Sequence, residues 1–121
     1  MEKESLVINR IYSVKYALKG MFVLLRSEHS IQIQGCIALV VTSAGFYFNI
    51  SREEWMIQLL AIGLVMGLEG ANTAIEKLAD YAQPEKDPKI GIIKDISAGA
   101  VLIASILASV VGFLIYIPKL V

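Results

Sequence analysis

Glu69, Asn72 and Glu76 are the residues of this chain best placed to do chemistry. At helical pitch, about 100° per residue, they fall at relative angles of roughly 0°, 300° and 340° and so share one narrow face. Upstream, Ile57 to Val65 carries no charge, and Glu69 follows four residues later. An ionised carboxylate at such a depth is expelled or neutralised unless something polar meets it. Two readings meet that demand: the acids bond neighbouring helices together, or they line a site. The second is the stronger, because an ionisable group within an apolar helix marks function by default.

The elements that must hold this face are membrane helices. With 121 residues the chain is a single domain, and 56% hydrophobic residues at a mean hydropathy of +0.66 make it too apolar for an ordinary soluble one. Its 18% of charged residues then belong to polar helix ends. Residues of about 5–27 read as an amphipathic surface helix, since Val7, Ile11, Val14, Leu18, Met21, Phe22 and Leu25 follow the i, i+3, i+4, i+7 pattern. Arg10, Lys15, Lys19 and Arg26 flank that stripe, as suits a helix in the headgroup layer. After a break over 27–30, membrane spans are expected at about 31–50, 54–76 and 96–117. Ser51 and Glu54 have the spacing of a capping box at the first turn. Residues 83–89 form a loop with two prolines, helix resumes near Gly91, and Pro118 is expected to end it. Small residues recur every four positions at Gly63, Gly67 and Ala71, and at Ala100, Ala104, Ala108 and Gly112, where they let helices approach closely. The fold class is an all-α membrane protein: one surface helix and three spans in one domain over 1–121.

Composition also excludes. A net charge of zero and the lack of a dense basic run argue against nucleic-acid binding. A single Cys36 and a single His29 cannot build a zinc site, and Cys36 reads as a packing residue. No cleavable signal sequence is apparent, so the N-terminus is expected to remain on the mature protein. Of the eleven basic residues only Arg52 and Lys119 lie away from the N-terminal helix and the Pro84 loop, which puts those two regions in the cytoplasm. Glu28, Glu76, Lys94 and Asp95 then gather at the cytoplasmic interface, with Glu69 about 10 Å deeper at 1.5 Å per residue.

Such a cluster suits phosphoryl transfer. Glu28 and Glu76 could hold Mg²⁺, which binds through one or two carboxylates and substrate phosphates. Lys94 would meet a phosphate as a point charge. Glu69, deeper and partly desolvated, suits a general base acting on a hydroxyl at the membrane surface. No G-x-x-x-x-G-K-[ST] run is present, and Gly67-Leu68-Glu69-Gly70 follows no strand, so neither a P-loop nor a dinucleotide fold is indicated. The rival class is an ion or proton conduit using Glu69. A conduit needs polar groups through the whole bilayer, whereas the outer halves of the second and third spans read as apolar. Tyr12, Tyr16, Tyr47, Trp55, Tyr81 and Tyr116 read as an aromatic belt, and Asp80 as either a helix-end residue or a catalytic one.

The stretch Glu69-x-x-Asn72-Thr73-Ala74-Ile75-Glu76-x-x-x-Asp80, with Lys94-Asp95-x-x-x-Gly99-Ala100-Val101-Leu102 after the loop, resembles the signature of the small prokaryotic diacylglycerol kinase family. Lys15-Tyr16-Ala17-x-Lys19-Gly20 and Glu28 sit where that family has its N-terminal motif. The resemblance implies a homotrimer of three-span protomers in the bacterial inner membrane, moving the γ-phosphoryl of ATP, with Mg²⁺, to a membrane lipid. It makes Glu69 the catalytic base, Glu28 and Glu76 the metal carboxylates, and Asn72 a site amide. Arg10, Tyr16, Glu28, Asn72, Glu76, Lys94, Asp95 and the loop residues Glu85, Lys86 and Asp87 take nucleotide-contacting positions. Glu69 and Ala98 face the lipid. The acceptor is expected to be diacylglycerol, with undecaprenol as the alternative. Gln34 stands where some members carry an acid, His29-Ser30 where others carry Arg-Asn, and Thr73 is more typical of the undecaprenol branch.

Overall fold

A computed structural model describes residues 2–121. Four helices follow one another: α1 (Glu2–Ser27), α2 (His29–Tyr47), α3 (Arg52–Ala82) and α4 (Pro88–Leu120), with no strand among the described residues. The expected break over 27–30 shrinks to Glu28 alone, which is extended at φ −106°, ψ 117°. The reason lies in Gln32, whose side-chain amide donates to the carbonyls of Leu25 (3.2 Å) and Arg26 (3.0 Å). Those carbonyls are among the ones a helix end leaves unsatisfied, so no longer linker is needed.

The first span ends at Tyr47, short of the expected residue 50. Asn49 takes the left-handed conformation (φ 51°), and the Ile50 and Asn49 N–H groups donate to the carbonyls of Gly45 (3.1 Å) and Phe46 (3.4 Å). This is the paired 6→1 and 5→2 bonding that closes a helix where a residue tolerates positive φ. Gly45 itself is required on steric grounds, since a Cβ there would lie 2.7 Å from Trp55 Cη2. α3 then opens with the expected capping box: Ser51 N–H donates to Glu54 Oε1 (2.9 Å) and Glu54 N–H to Ser51 Oγ (3.1 Å). Lys119 donates to both Glu54 carboxylate oxygens, tying the end of α4 to this turn.

α4 begins three residues before the expected Gly91. Asp87 caps it, accepting from Lys89 N–H (2.8 Å) and Ile90 N–H (3.4 Å), and Pro88 occupies the first helical position, where its missing N–H costs nothing. At the other end the helix runs through Pro118 to Leu120. Pro118 forfeits only its own bond to the Leu114 carbonyl, and the next turn still closes with the Val121 N–H donating to Ile117 (3.2 Å).

α2, α3 and α4 are each long and apolar enough to cross a bilayer, and the chain is a multi-pass membrane protein. α3 packs chiefly on α4, around Val65, Ala79, Val101, Ala104 and Ile115. Large apolar side chains such as Leu60 and Leu114 point outward instead, as lipid requires. On α1 the apolar stripe is shallow, because Ile8, Tyr12 and Val23 lie exposed away from it. The two small-residue repeats differ. Ala104 is buried against α3, but a Cβ on Gly63 or Gly67 would meet nothing within 4 Å. Four-residue spacing marks a smooth face without specifying which helix meets it.

The outer half of the bundle is not wholly apolar, contrary to expectation. Gln58 is buried at 3% exposure, its Oε1 2.5 Å from the Tyr116 hydroxyl, which also lies 3.0 Å from the Val41 carbonyl. The node carries no charge and is closed by its own hydrogen bonds. It is therefore a three-helix tie, unlike the through-going polar file a conduit needs.

Candidate functional site

Helix lengths place the acids. α2, with 19 residues, is about 28 Å long, close to one bilayer core, whereas the 31 residues of α3 span about 46 Å from the same turn. The last part of α3, roughly from residue 71 onward, therefore stands beyond the start of α2. Contact confirms the register: a Cβ on Gly70 would lie 3.0 Å from Leu24 Cδ1 at the end of α1. Glu69, half-buried, is level with the α1–α2 junction, and Asn72, Glu76 and Asp80 follow it outward on the projecting end.

These residues continue the packing seam of α3. Gln58, Val65 and Thr73, all buried, lie within roughly 40° of Glu69 around the helix axis. Deep in the bundle that seam meets α4 through Val65 and the Gln58–Tyr116 bond, and at the loop end it carries the acids. Asn72 Nδ2 donates to Glu76 Oε1 (3.2 Å), while Asn72 Oδ1 is buried with no donor among the described residues. An acceptor left this way demands a cation or a donor. The Asn72–Glu76 bond leaves the second carboxylate oxygen of Glu76 for a ligand.

Glu28 projects from the α1–α2 junction to α3, where its Oε1 lies 3.3 Å from Lys77 Nζ. That bond sets Glu28 beside the turn that carries Glu76. From α4, Lys94 makes an ion pair with Asp80, one turn beyond Glu76. A cleft of about 550 Å³ continues outward from this pair, lined by Gln83, Glu85, Lys86, Asp87 and Gly91 among others. Within it the Asp87 carboxylate is engaged in capping α4. Asp95 and Ala98 are exposed on α4.

Not every expected site residue joins the group. Arg10 and Tyr16 lie along α1, Tyr16 stacked near Tyr12 (6.5 Å between rings), and neither makes a polar bond to the acids among the described residues. Nor do three or more of His, Cys, Asp and Glu close on one point among the described residues. The carboxylates form a file along a helix with Glu28 beside it. Such a file can furnish one or two anionic ligands and no complete cage, which is how magnesium sites that rely on substrate phosphates are built. Sequence reasoning missed Lys77, Gly70 and Leu24. Gly70 within the acid-bearing stretch was the available signal, since a glycine inside a helix often marks a close approach.

A second pocket of about 260 Å³ lies deeper, between α2, α3 and α4, with Gln34, Gln58, Ser105 and Ser109 in its lining. It touches none of the acids.

The fold and the site together define a small helical membrane protein with an acid face at one rim of its bundle. Comparison with known proteins makes this specific. Residues 15–116 match the family model described as prokaryotic diacylglycerol kinase. The undecaprenol kinase of Bacillus subtilis is 36% identical over 114 residues, covering 93% of each chain. A diacylglycerol kinase of Synechocystis is 30% identical over 113 residues, covering 93% of this chain and 65% of the relative. One of Haemophilus influenzae is 26% identical over 111 residues, covering 92% and 94%. The chain belongs to the prokaryotic diacylglycerol kinase family and is a membrane lipid kinase.

Proposed function

We propose that this protein transfers the γ-phosphoryl group of ATP to the hydroxyl of a membrane lipid, acting at the loop-end rim of the bundle. The observation that carries this reading is the depth order along one face of α3. Glu69 is half-buried at the level of the α1–α2 junction, and the Asn72–Glu76 pair stands outside it toward water. A lipid hydroxyl held in the headgroup layer meets the first, and a nucleotide arriving from solution meets the second. Glu69 takes the hydroxyl proton as general base. Glu28, Glu76 and the unpartnered Asn72 Oδ1 are the oxygen donors for Mg²⁺, which would neutralise the triphosphate when bound. Lys94 releases Asp80 to meet phosphate oxygens, with Asp95 and the 85–87 loop alongside the nucleotide. Ala98 offers a small surface to the lipid.

Family membership supports the finer features. A homotrimer would let Arg10 and Tyr16 of one protomer approach another's acids, which they do not reach within a single chain. α1 lies in the headgroup layer, and the site faces the cytoplasm of a bacterial inner membrane, as the distribution of basic residues favours. The acceptor is diacylglycerol, the lipid in the family's description and in two of the relatives' names. Undecaprenol is a second reading, favoured by the 36% identity to the Bacillus subtilis undecaprenol kinase. Radiolabelled ATP, Mg²⁺ and purified protein in mixed micelles, with each lipid offered separately, test both readings. Label is expected in phosphatidic acid; label only in undecaprenyl phosphate selects the second reading, and label in neither refutes the kinase reading.

A further inference from the structure

The structure assigns a positioning role to Lys77, which we propose keeps bare divalent cations off Glu28 until a nucleotide arrives. The inference rests on the kinase reading above. Lys77 follows Glu76 but is turned roughly 100° from it around α3, toward the side where Gly70 receives Leu24 of α1. Its ammonium lies 3.3 Å from Glu28 Oε1. Glu28 occupies the N-cap position of α2 but makes no capping bond, so its side chain is free to reach α3. Its carboxylate is committed to Lys77 instead.

On the opposite flank Lys94 is held by Asp80. Within the chain, then, a carboxylate expected to meet the metal and a cation expected to meet phosphate each carry an internal counter-ion. A bare divalent cation approaching Glu28 meets the Lys77 ammonium within a few ångströms and is repelled. A cation carried by a nucleotide brings phosphate oxygens that take over the ammonium as Glu28 is released to the metal. One lysine thereby opposes the metal alone and assists the metal–nucleotide unit. This opposite action on two ligands separates it from a structural strut, which would support both alike.

Mn²⁺ replaces Mg²⁺ as the probe. Free Mn²⁺ is titrated by electron paramagnetic resonance against purified protein in micelles without nucleotide, and KM for the metal–ATP complex is measured separately. Lys77→Gln is expected to bind bare Mn²⁺ about two- to five-fold more tightly and to raise KM by a similar factor, the scale of an exposed ion pair. Lys77→Arg should restore both values. Unchanged Mn²⁺ affinity, or weakening of both ligands together with a lower melting temperature, overturns the proposal. The Mn²⁺ comparison needs no turnover. An inactive wild-type protein would therefore count against the kinase reading alone, and an active one with an insensitive Lys77→Gln against this inference alone.

Discussion

Gly45→Ala should destabilise the bundle by filling space that Trp55 already occupies. The added Cβ would lie 2.7 Å from Trp55 Cη2, 2.8 Å from Cζ2 and 3.1 Å from Ile50 Cδ1, against an ordinary contact of 3.4 Å or more. The indole must retreat by about 0.7 Å, the difference between 3.4 and 2.7 Å. It has little room, because Phe46 lies against it (4.9 Å between rings) and Trp55 sits in the first turn of a capped helix. Overpacking of this kind costs about 1–3 kcal/mol. The cost can be isolated, because phenylalanine at position 55 lacks the two atoms in collision. In a double-mutant cycle followed by circular dichroism during SDS unfolding from micelles, Gly45→Ala should cost about 1–3 kcal/mol beside Trp55 and well under half of that beside Trp55→Phe. Equal costs in the two backgrounds would refute the close-approach argument, because Gly45 has ordinary helical backbone geometry that alanine also adopts.

Two further outcomes concern the loop end. Asp87→Ala removes the α4 cap and should lower stability by about 1 kcal/mol by the same unfolding measurement; a loss of nucleotide affinity at unchanged stability would instead assign Asp87 to the ligand. Glu76→Gln should raise the Mg²⁺ concentration needed for half-maximal transfer at least several-fold, since an amide replaces an anionic ligand, and an unaltered Mg²⁺ titration would remove Glu76 from the metal site.

Much of the architecture was readable because each signal was local. Ser51 and Glu54 are three residues apart and bond as their spacing demands. Apolar runs of bilayer length identified the three spans, and a fixed pitch put Glu69, Asn72 and Glu76 on one face. The errors arose at helix ends, where single residues decide the outcome, and at one remote contact. Gln32 reaches back across the junction to satisfy α1, leaving Glu28 as the whole connection. Asn49 ends α2 early, and an asparagine after an apolar run was a signal that could have been used. Asp87-Pro88 likewise announces the start of α4. Lys77 offered no such signal. Its partner Glu28 lies 49 residues away, and the packing of α2 and Leu24 on α3 brings the two together.

The central claim is that Glu69, at the inner end of the acid file, accepts the proton of the lipid hydroxyl. Glu69→Gln keeps the side chain's shape and removes its basicity, so lipid phosphorylation and nucleotide binding measured on the same micellar preparation separate chemistry from assembly. Turnover is predicted to fall by about 10²–10⁴-fold, the usual contribution of a general base, while nucleotide affinity stays within about two-fold of wild type. Undiminished turnover would contradict the account.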